Sequence, residues 1–76
     1  RSLDVHFREY LNQEVTLKIR VYKVFLKGTI TSFDQNSNLL LKDVSEYMLD
    51  ENNEMVEQNK FKELVLRGDS IVNISI

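Results

Sequence analysis

Residues 28–41, GTITSFDQNSNLLL, decide the fold, because a short polar loop interrupts two apolar runs there. The run before the loop belongs to a strand predicted over residues 24–33. Glycine weakens a strand interior unless the sheet curves or another backbone comes close, so Gly28 is expected to mark a bend. The run after the loop begins a strand predicted over residues 39–49. The stretch therefore predicts two consecutive strands, sharply bent and joined by a polar loop.

The chain before this stretch predicts a short helix and one strand. Apolar residues recur at helical spacing over residues 3–11, and apolar and polar residues alternate over residues 15–21 as in a half-buried strand. Tight two-residue hairpins favour Asn-Gly or Asp-Gly, whereas Tyr22 and Lys23 stand at this turn. We therefore expect a hairpin that is wider or shifted in register, with Lys23 at its tip either facing solvent, which we favour, or meeting phosphate.

The chain after this stretch predicts a hairpin and two more strands. Residues 50–54 form a polar cluster between apolar runs, which is a turn signal. Two sets of apolar residues mark a fourth strand and a short fifth strand: Phe61, Leu64 and Leu66, then Ile71, Val72, Ile74 and Ile76. One helix followed by five strands predicts a mostly β fold, a five-stranded, strongly bent antiparallel sheet or small open barrel in a single domain over residues 1–76.

Composition limits the functions that this chain can have. A domain of 76 residues buries only about 60% of its unfolded surface, so stabilisation by assembly is expected. The net charge of −2 argues against holding nucleic acid mainly by neutralising many phosphates. Acid is concentrated in residues 34–58, which carry seven acidic and one basic side chain. The chain has no cysteine and no apolar run near the roughly 20 residues that span a bilayer, so a soluble, intracellular protein is expected.

Two segments resemble the signature motifs of the Sm and Sm-like (LSm) family. The first motif of that family has a strand glycine, an aspartate six residues later and an asparagine four beyond, which match Gly28, Asp34 and Asn38. Residues 64–72, LVLRGDSIV, resemble the second motif, an apolar strand that ends in Arg-Gly and restarts with Ile-Val. The resemblance spans essentially the whole chain. It points to the eukaryotic type, because the bacterial relative typically has Tyr-Lys-His in its second motif.

The resemblance implies a subunit of a six- or seven-membered ring that binds uridine-rich single-stranded RNA. Family members pair the fourth strand of one subunit with the fifth of the next, and each subunit takes one base. An amide offers donor and acceptor together, so Asn38 is the predicted base reader. Arg67 can lay its guanidinium over a base, and Gly68 lets the backbone come close. Asp34 and Asp69 are expected to structure the two loops.

One departure from the family pattern leaves alternatives open. Many members place an aromatic residue or histidine two residues after the aspartate, whereas this chain has Asn36, which could reach RNA by hydrogen bonding. The family implies roles in pre-mRNA splicing or mRNA decay, in the nucleus, the cytoplasm or both, and the acidic balance favours an Sm-like ring. Alternatives are a core spliceosomal Sm protein, an Sm-fold protein-interaction module, and an adhesion domain that uses the Arg-Gly-Asp string. No metal site is expected, because His6 lacks partners at ligand spacing. No enzyme activity or cofactor is expected either, since nothing in the sequence places serine, histidine and aspartate as a catalytic triad.

Overall fold

The structure is a computed structural model that describes residues 7–76. It contains five strands and two short 3-10 helices. The first 3-10 helix is Phe7–Tyr10 and the second is Gly68–Ser70. The strands are β1 (Glu14–Ile19), β2 (Val24–Phe33), β3 (Leu39–Leu49), β4 (Met55–Leu66) and β5 (Ile71–Ser75).

The five strands form one antiparallel sheet in the order β4-β3-β2-β1-β5. The predicted mostly β fold and five-stranded sheet are therefore confirmed. The predicted bend at Gly28 is also confirmed, because the β2–β3 register shifts between Lys27 and Thr29. A Cβ atom on Gly28 would lie 3.0 Å from Val44 Cγ2 and 3.2 Å from the carbonyl oxygen of Lys42. Glycine thus lets β3 come close where the sheet curves.

Curvature lets the sheet fold over its own apolar face and form the core. The side chains that are less than 2% exposed come from β1, β2, β3 and β5: Val15, Leu17, Ile30, Leu39, Leu41, Val44 and Ile71. Phe7 of the first 3-10 helix packs against this cluster, and its ring centroid lies 6.2 Å from that of Phe33. Phe33 ends β2, so the 3-10 helix covers the core beside the polar loop that follows.

The first helix and the fourth strand differ from the sequence predictions. Residues 3–6 of the helix predicted over residues 3–11 lie outside the described part, and the described remainder forms a 3-10 turn at Phe7–Tyr10. It stops early because Asn12 adopts a positive φ of 63° and its N–H bonds to the carbonyl of Ile30. The fourth strand begins at Met55, six residues before the predicted marker at Phe61. Pairing with β3 extends it, since Met55 lies opposite Leu49.

The β1–β2 hairpin is wider than a two-residue turn, as predicted. Residues 20–23 separate the strands, because β1 ends at Ile19 instead of the predicted position 21 and β2 begins at Val24. Lys23 takes a positive φ of 62°, and its carbonyl accepts the Leu49 N–H at 3.0 Å. The hairpin tip is thereby fastened to the end of β3.

Candidate functional site

The loop between β2 and β3 is organised by the carboxylate of Asp34. Its Oδ1 accepts the backbone N–H groups of Asn36 at 2.8 Å and Asn38 at 3.0 Å, and its Oδ2 accepts the side-chain amide of Asn38 at 3.0 Å. The N–H of Ser37, which has a positive φ of 63°, donates to the carbonyl oxygen of Asp34. Residues 34–38 therefore have one tightly bonded shape, although the loop is exposed.

These hydrogen bonds favour the ionised form of Asp34. The backbone N–H of Asn38 is the largest cause, and the Asn38 side-chain amide is the next, of a pKa below the usual value for an aspartate. Burial acts weakly in the opposite direction, and the N–H of Asn36 adds a smaller lowering of the pKa. The loop therefore stabilises the ionised Asp34 carboxylate through its own hydrogen bonds, without a ligand.

This lowered pKa predicts an acid-dependent contribution of Asp34 to stability. The contribution is fully present above the unfolded-state pKa of about 3.9 and is lost as the pH falls through the lower folded-state pKa. The difference in unfolding free energy between the wild type and Asp34→Asn should therefore shrink below about pH 4. Urea titrations from pH 7 to pH 2 measure it. As a control, Glu51→Gln removes a carboxylate that has no hydrogen bond to any described residue. The prediction would be contradicted if the difference in unfolding free energy between the wild type and Asp34→Asn stayed constant from pH 7 to pH 2.

Asn38 joins two loops that lie 30 residues apart in the sequence. Its Nδ2 donates to Asp34, and its Oδ1 accepts the backbone N–H of Gly68 at 2.9 Å. Gly68 lies so close to the first loop that a Cβ atom there would meet the carbonyl oxygens of Ser37 at 2.6 Å and Asn36 at 2.8 Å. The predicted site residues of the two motifs are thus brought together at one end of the sheet.

Arg67 extends from this junction into solvent. It follows the last residue of β4, its side chain is 76% exposed, and its Nη2 lies 3.2 Å from Oδ2 of Asp69. An exposed ion pair of this kind contributes little stability, but it orients the guanidinium. The carbonyl oxygen of Asp69 accepts Nε of Arg20 at 2.7 Å. Asp69 therefore connects Arg67 to the β1–β2 hairpin.

Two features of this end of the sheet have no direct signal in the sequence. The first is the contact of Arg20 with the turn after Arg67, which depends on the β1–β5 pairing. The second is an open cavity of about 570 Å³ between the first 3-10 helix and the 34–38 loop, lined by Phe7, Arg8, Glu9, Phe33, Gln35 and Ser37 among others. Both features arise from tertiary packing.

The chemistry of the site is that of a binding surface. Asn38 keeps one N–H and one acceptor lone pair beyond its two internal bonds, and the guanidinium of Arg67 offers a planar cation. Among residues 7–76, no group of three or more histidine, cysteine, aspartate or glutamate side chains is placed to hold a metal ion. Hydrogen bonding and stacking of a planar polar ligand are the interactions that these groups support.

Comparisons with known proteins agree on the fold. A family model described as the LSM domain matches residues 6–76. The Sm protein of Pyrococcus abyssii in complex with a uridine heptamer aligns with a TM-score of 0.69 and 22% identity, over 91% of this chain and 89% of that one. The SmAP (LSm) protein from Methanococcus vannielii aligns with a TM-score of 0.68 and 24% identity, over 92% and 87% of the two chains.

A third similar structure comes from a different kind of assembly. A chain of the NatC complex bound to Gag peptide and CoA aligns with a TM-score of 0.72 and 18% identity, over 93% of this chain and 90% of that one. No curated protein matches this sequence. Within residues 7–76, no helix is long and apolar enough to cross a membrane.

Proposed function

The chain belongs to the Sm and Sm-like (LSM-domain) family, and on that premise we propose that it is a non-catalytic, RNA-binding subunit of a six- or seven-membered ring. The observation that carries the proposal is the bond from the Gly68 N–H to Oδ1 of Asn38, which unites the two motif loops. With Arg67 beside them, these groups form a slot for one base. The amide of Asn38 suits the neighbouring donor and acceptor of uracil, while Arg67 stacks on its face.

Two sheet edges that have no pairing strand within residues 7–76 support ring assembly. β4 and β5 are the outermost strands, and each carries exposed apolar side chains, such as Val65 at 70% and Val72 at 48% exposure. Open edges of this kind invite pairing with another chain. Adding β5 of one subunit to β4 of the next continues the sheet head to tail, and such contacts close into a ring when the rotation fits. Each ring then presents several one-base slots.

The RNA that we propose for this ring is uridine-rich and single-stranded. Within residues 7–76 the helices are short 3-10 turns that cannot read a duplex groove, so the slot suits a splayed single strand better than a duplex. The similar Pyrococcus abyssii structure contains a uridine heptamer, which supports the choice of uridine. We further propose that this Sm-like ring is nuclear or cytoplasmic. It would act on small nuclear RNA in splicing, on mRNA in decay, or on both.

A protein-interaction module is the second candidate. Asn36 replaces the aromatic residue or histidine that many family members carry, so one stacking group is lost from the slot. Both ends of the Asn38 amide already make internal bonds. The similar chain in the NatC complex supports this candidate as a use of the same fold in a protein assembly.

Native mass spectrometry with and without oligouridine distinguishes the two candidates. We expect the chain, purified alone or recovered from cells with its partners, to give an assembly of six or seven Sm-sized subunits that gains the mass of one oligouridine. Oligoadenosine of the same length serves as the control ligand. A stable monomer in both preparations would contradict the ring. Assemblies that never gain oligonucleotide mass would favour the interaction module.

A further inference from the structure

The β1–β2 hairpin carries the most basic stretch of an otherwise acidic chain. Residues 15–33 contain four basic side chains and no acidic one, although the net charge of the chain is −2. Three of these cations, Lys18, Arg20 and Lys23, lie at the hairpin tip or next to it. Their local field attracts anions even though the whole protein is negative.

The hairpin tip is bonded directly to the turn that carries Arg67. The backbone N–H of Arg20 donates to the carbonyl of Ser70 at 2.8 Å, and its Nε donates to the carbonyl of Asp69 at 2.7 Å. Asp69 in turn pairs with Arg67. A polymer bound at Arg67 therefore meets the hairpin as the next surface.

The tip presents an aromatic ring to solvent. Tyr22 is 82% exposed, and Nζ of Lys23 lies 5.4 Å from the centroid of its ring. The ammonium of Lys18 donates to the carbonyls of Ile19 and Val21, which stabilises the turn below the ring. An exposed tyrosine contributes little to the core, whereas a ring next to cations is a stacking platform for bases.

An open cavity of about 430 Å³ lies beside this platform, lined in part by Arg20, Tyr22, Lys23 and Leu49. Asp50 and Glu51 line a neighbouring hollow with Lys23. On the side toward Arg67, Arg20 contacts the 68–70 turn, where the Asp69 carboxylate pairs with Arg67. The cavity is therefore accessible to an anionic chain that arrives from the Arg67 slot.

We propose that Arg20, Tyr22 and Lys23 form a second nucleotide-binding position, the hairpin ledge, which continues the path of single-stranded RNA beyond the Arg67 slot. This inference rests on the proposed RNA-binding function. Tyr22 stacks on one base, while Arg20 and Lys23 contact the phosphates on either side of it. RNA suits the ledge better than an acidic peptide, because a peptide would use the cations and leave the ring without a stacking partner.

Fluorescence anisotropy with labelled oligouridines of six and twelve nucleotides tests the ledge on the assembled protein. The wild type should bind the longer oligonucleotide more tightly. Tyr22→Ala should lower the affinity for the longer one by about 5- to 100-fold and leave that for the shorter one unchanged. Tyr22→Phe, which keeps the ring, should behave as wild type. Lys23→Gln should weaken binding of the longer one and reduce its salt dependence, whereas Lys42→Gln on β3 should change neither affinity.

The outcomes separate failure of the ledge from failure of the proposed function. A wild type that binds neither oligonucleotide overturns both. A wild type that binds the two lengths equally, or a Tyr22→Ala variant that keeps tight binding of the longer one, overturns the ledge alone. Displacement of the longer oligonucleotide by an oligoglutamate peptide of equal charge, at equal concentration, would assign the ledge to acidic peptides and also overturn the proposal.

Discussion

Gly68→Ala should lose about 1–3 kcal/mol of unfolding free energy and at least about tenfold in oligouridine affinity. The new Cβ atom would lie 2.6 Å from the carbonyl oxygen of Ser37 and 2.8 Å from that of Asn36. Both obstacles are backbone atoms of a loop that Asp34 holds in one shape, so neither can move aside as a flexible side chain would. The two loops must separate, which weakens the Asn38 bond to the Gly68 N–H.

Thermal unfolding and anisotropy titration at one fixed protein concentration measure the two effects of Gly68→Ala. For a domain of this size each kcal/mol lowers Tm by about 4–8 °C. Gly28→Ala is the matched control, because its Cβ atom first meets the Val44 side chain at 3.0 Å, far from the slot. We expect Gly28→Ala to lower stability and leave affinity intact. Wild-type affinity in Gly68→Ala would show that the loop junction does not form the binding slot.

Asn38→Ala and Arg67→Ala should each weaken oligouridine binding by about 1–3 kcal/mol, but only Asn38→Ala should also destabilise the subunit. Removing the amide leaves the half-buried Gly68 N–H without its acceptor and Oδ2 of Asp34 without its donor. A lost partner of this kind costs about 1–3 kcal/mol when the remaining group is shielded from water. Arg67 is exposed and makes only a surface ion pair, so its loss should leave unfolding unchanged.

Asn38→Asp separates the structural and ligand-binding parts of the Asn38 prediction. Aspartate keeps an acceptor for the Gly68 N–H but places a second carboxylate at the 3.0 Å contact with Asp34. We expect weaker binding at pH 7 and partial recovery of stability when one of the two carboxyls takes a proton. Denaturant titration and anisotropy at the same pH values measure these effects. Equal affinity of Asn38→Ala and the wild type, with Arg67→Ala also unaffected, would favour the protein-interaction module.

The centre of the fold could be predicted from sequence because several local signals agree there. The bounds of β2 and β3 match the prediction, since apolar runs, the glycine bend and the polar loop all mark the same positions. The first half of β4 could not be found in this way. Residues 55–60 are all exposed at the sheet edge, so no face is buried and the two-residue apolar period is absent. Residues 55–60 form a strand only because they pair with β3.

The candidate site shows the same division between local and long-range causes. The bonds of Asp34 lie within five residues, so turn chemistry predicts a role in loop structure. The acceptor role of Asn38 toward Gly68 depends on closure of the sheet across 30 residues, and no local pattern encodes that contact. The contact of Arg20 with Asp69 spans 49 residues and likewise depends on β1 lying beside β5.

In the proposed ring, the Asn38–Gly68 bond would also connect ligand binding to assembly. Gly68 begins the short 3-10 helix that leads directly into β5, one of the two open sheet edges. A nucleotide that tightens the loop junction would also reduce fluctuations of β5 and favour its docking on the next subunit. Thermodynamic linkage makes the effect reciprocal, so docking must raise nucleotide affinity by the same factor. Each occupied subunit of the proposed ring would then hold its neighbour more tightly, and the ring would resist dissociation most when all of its slots are occupied.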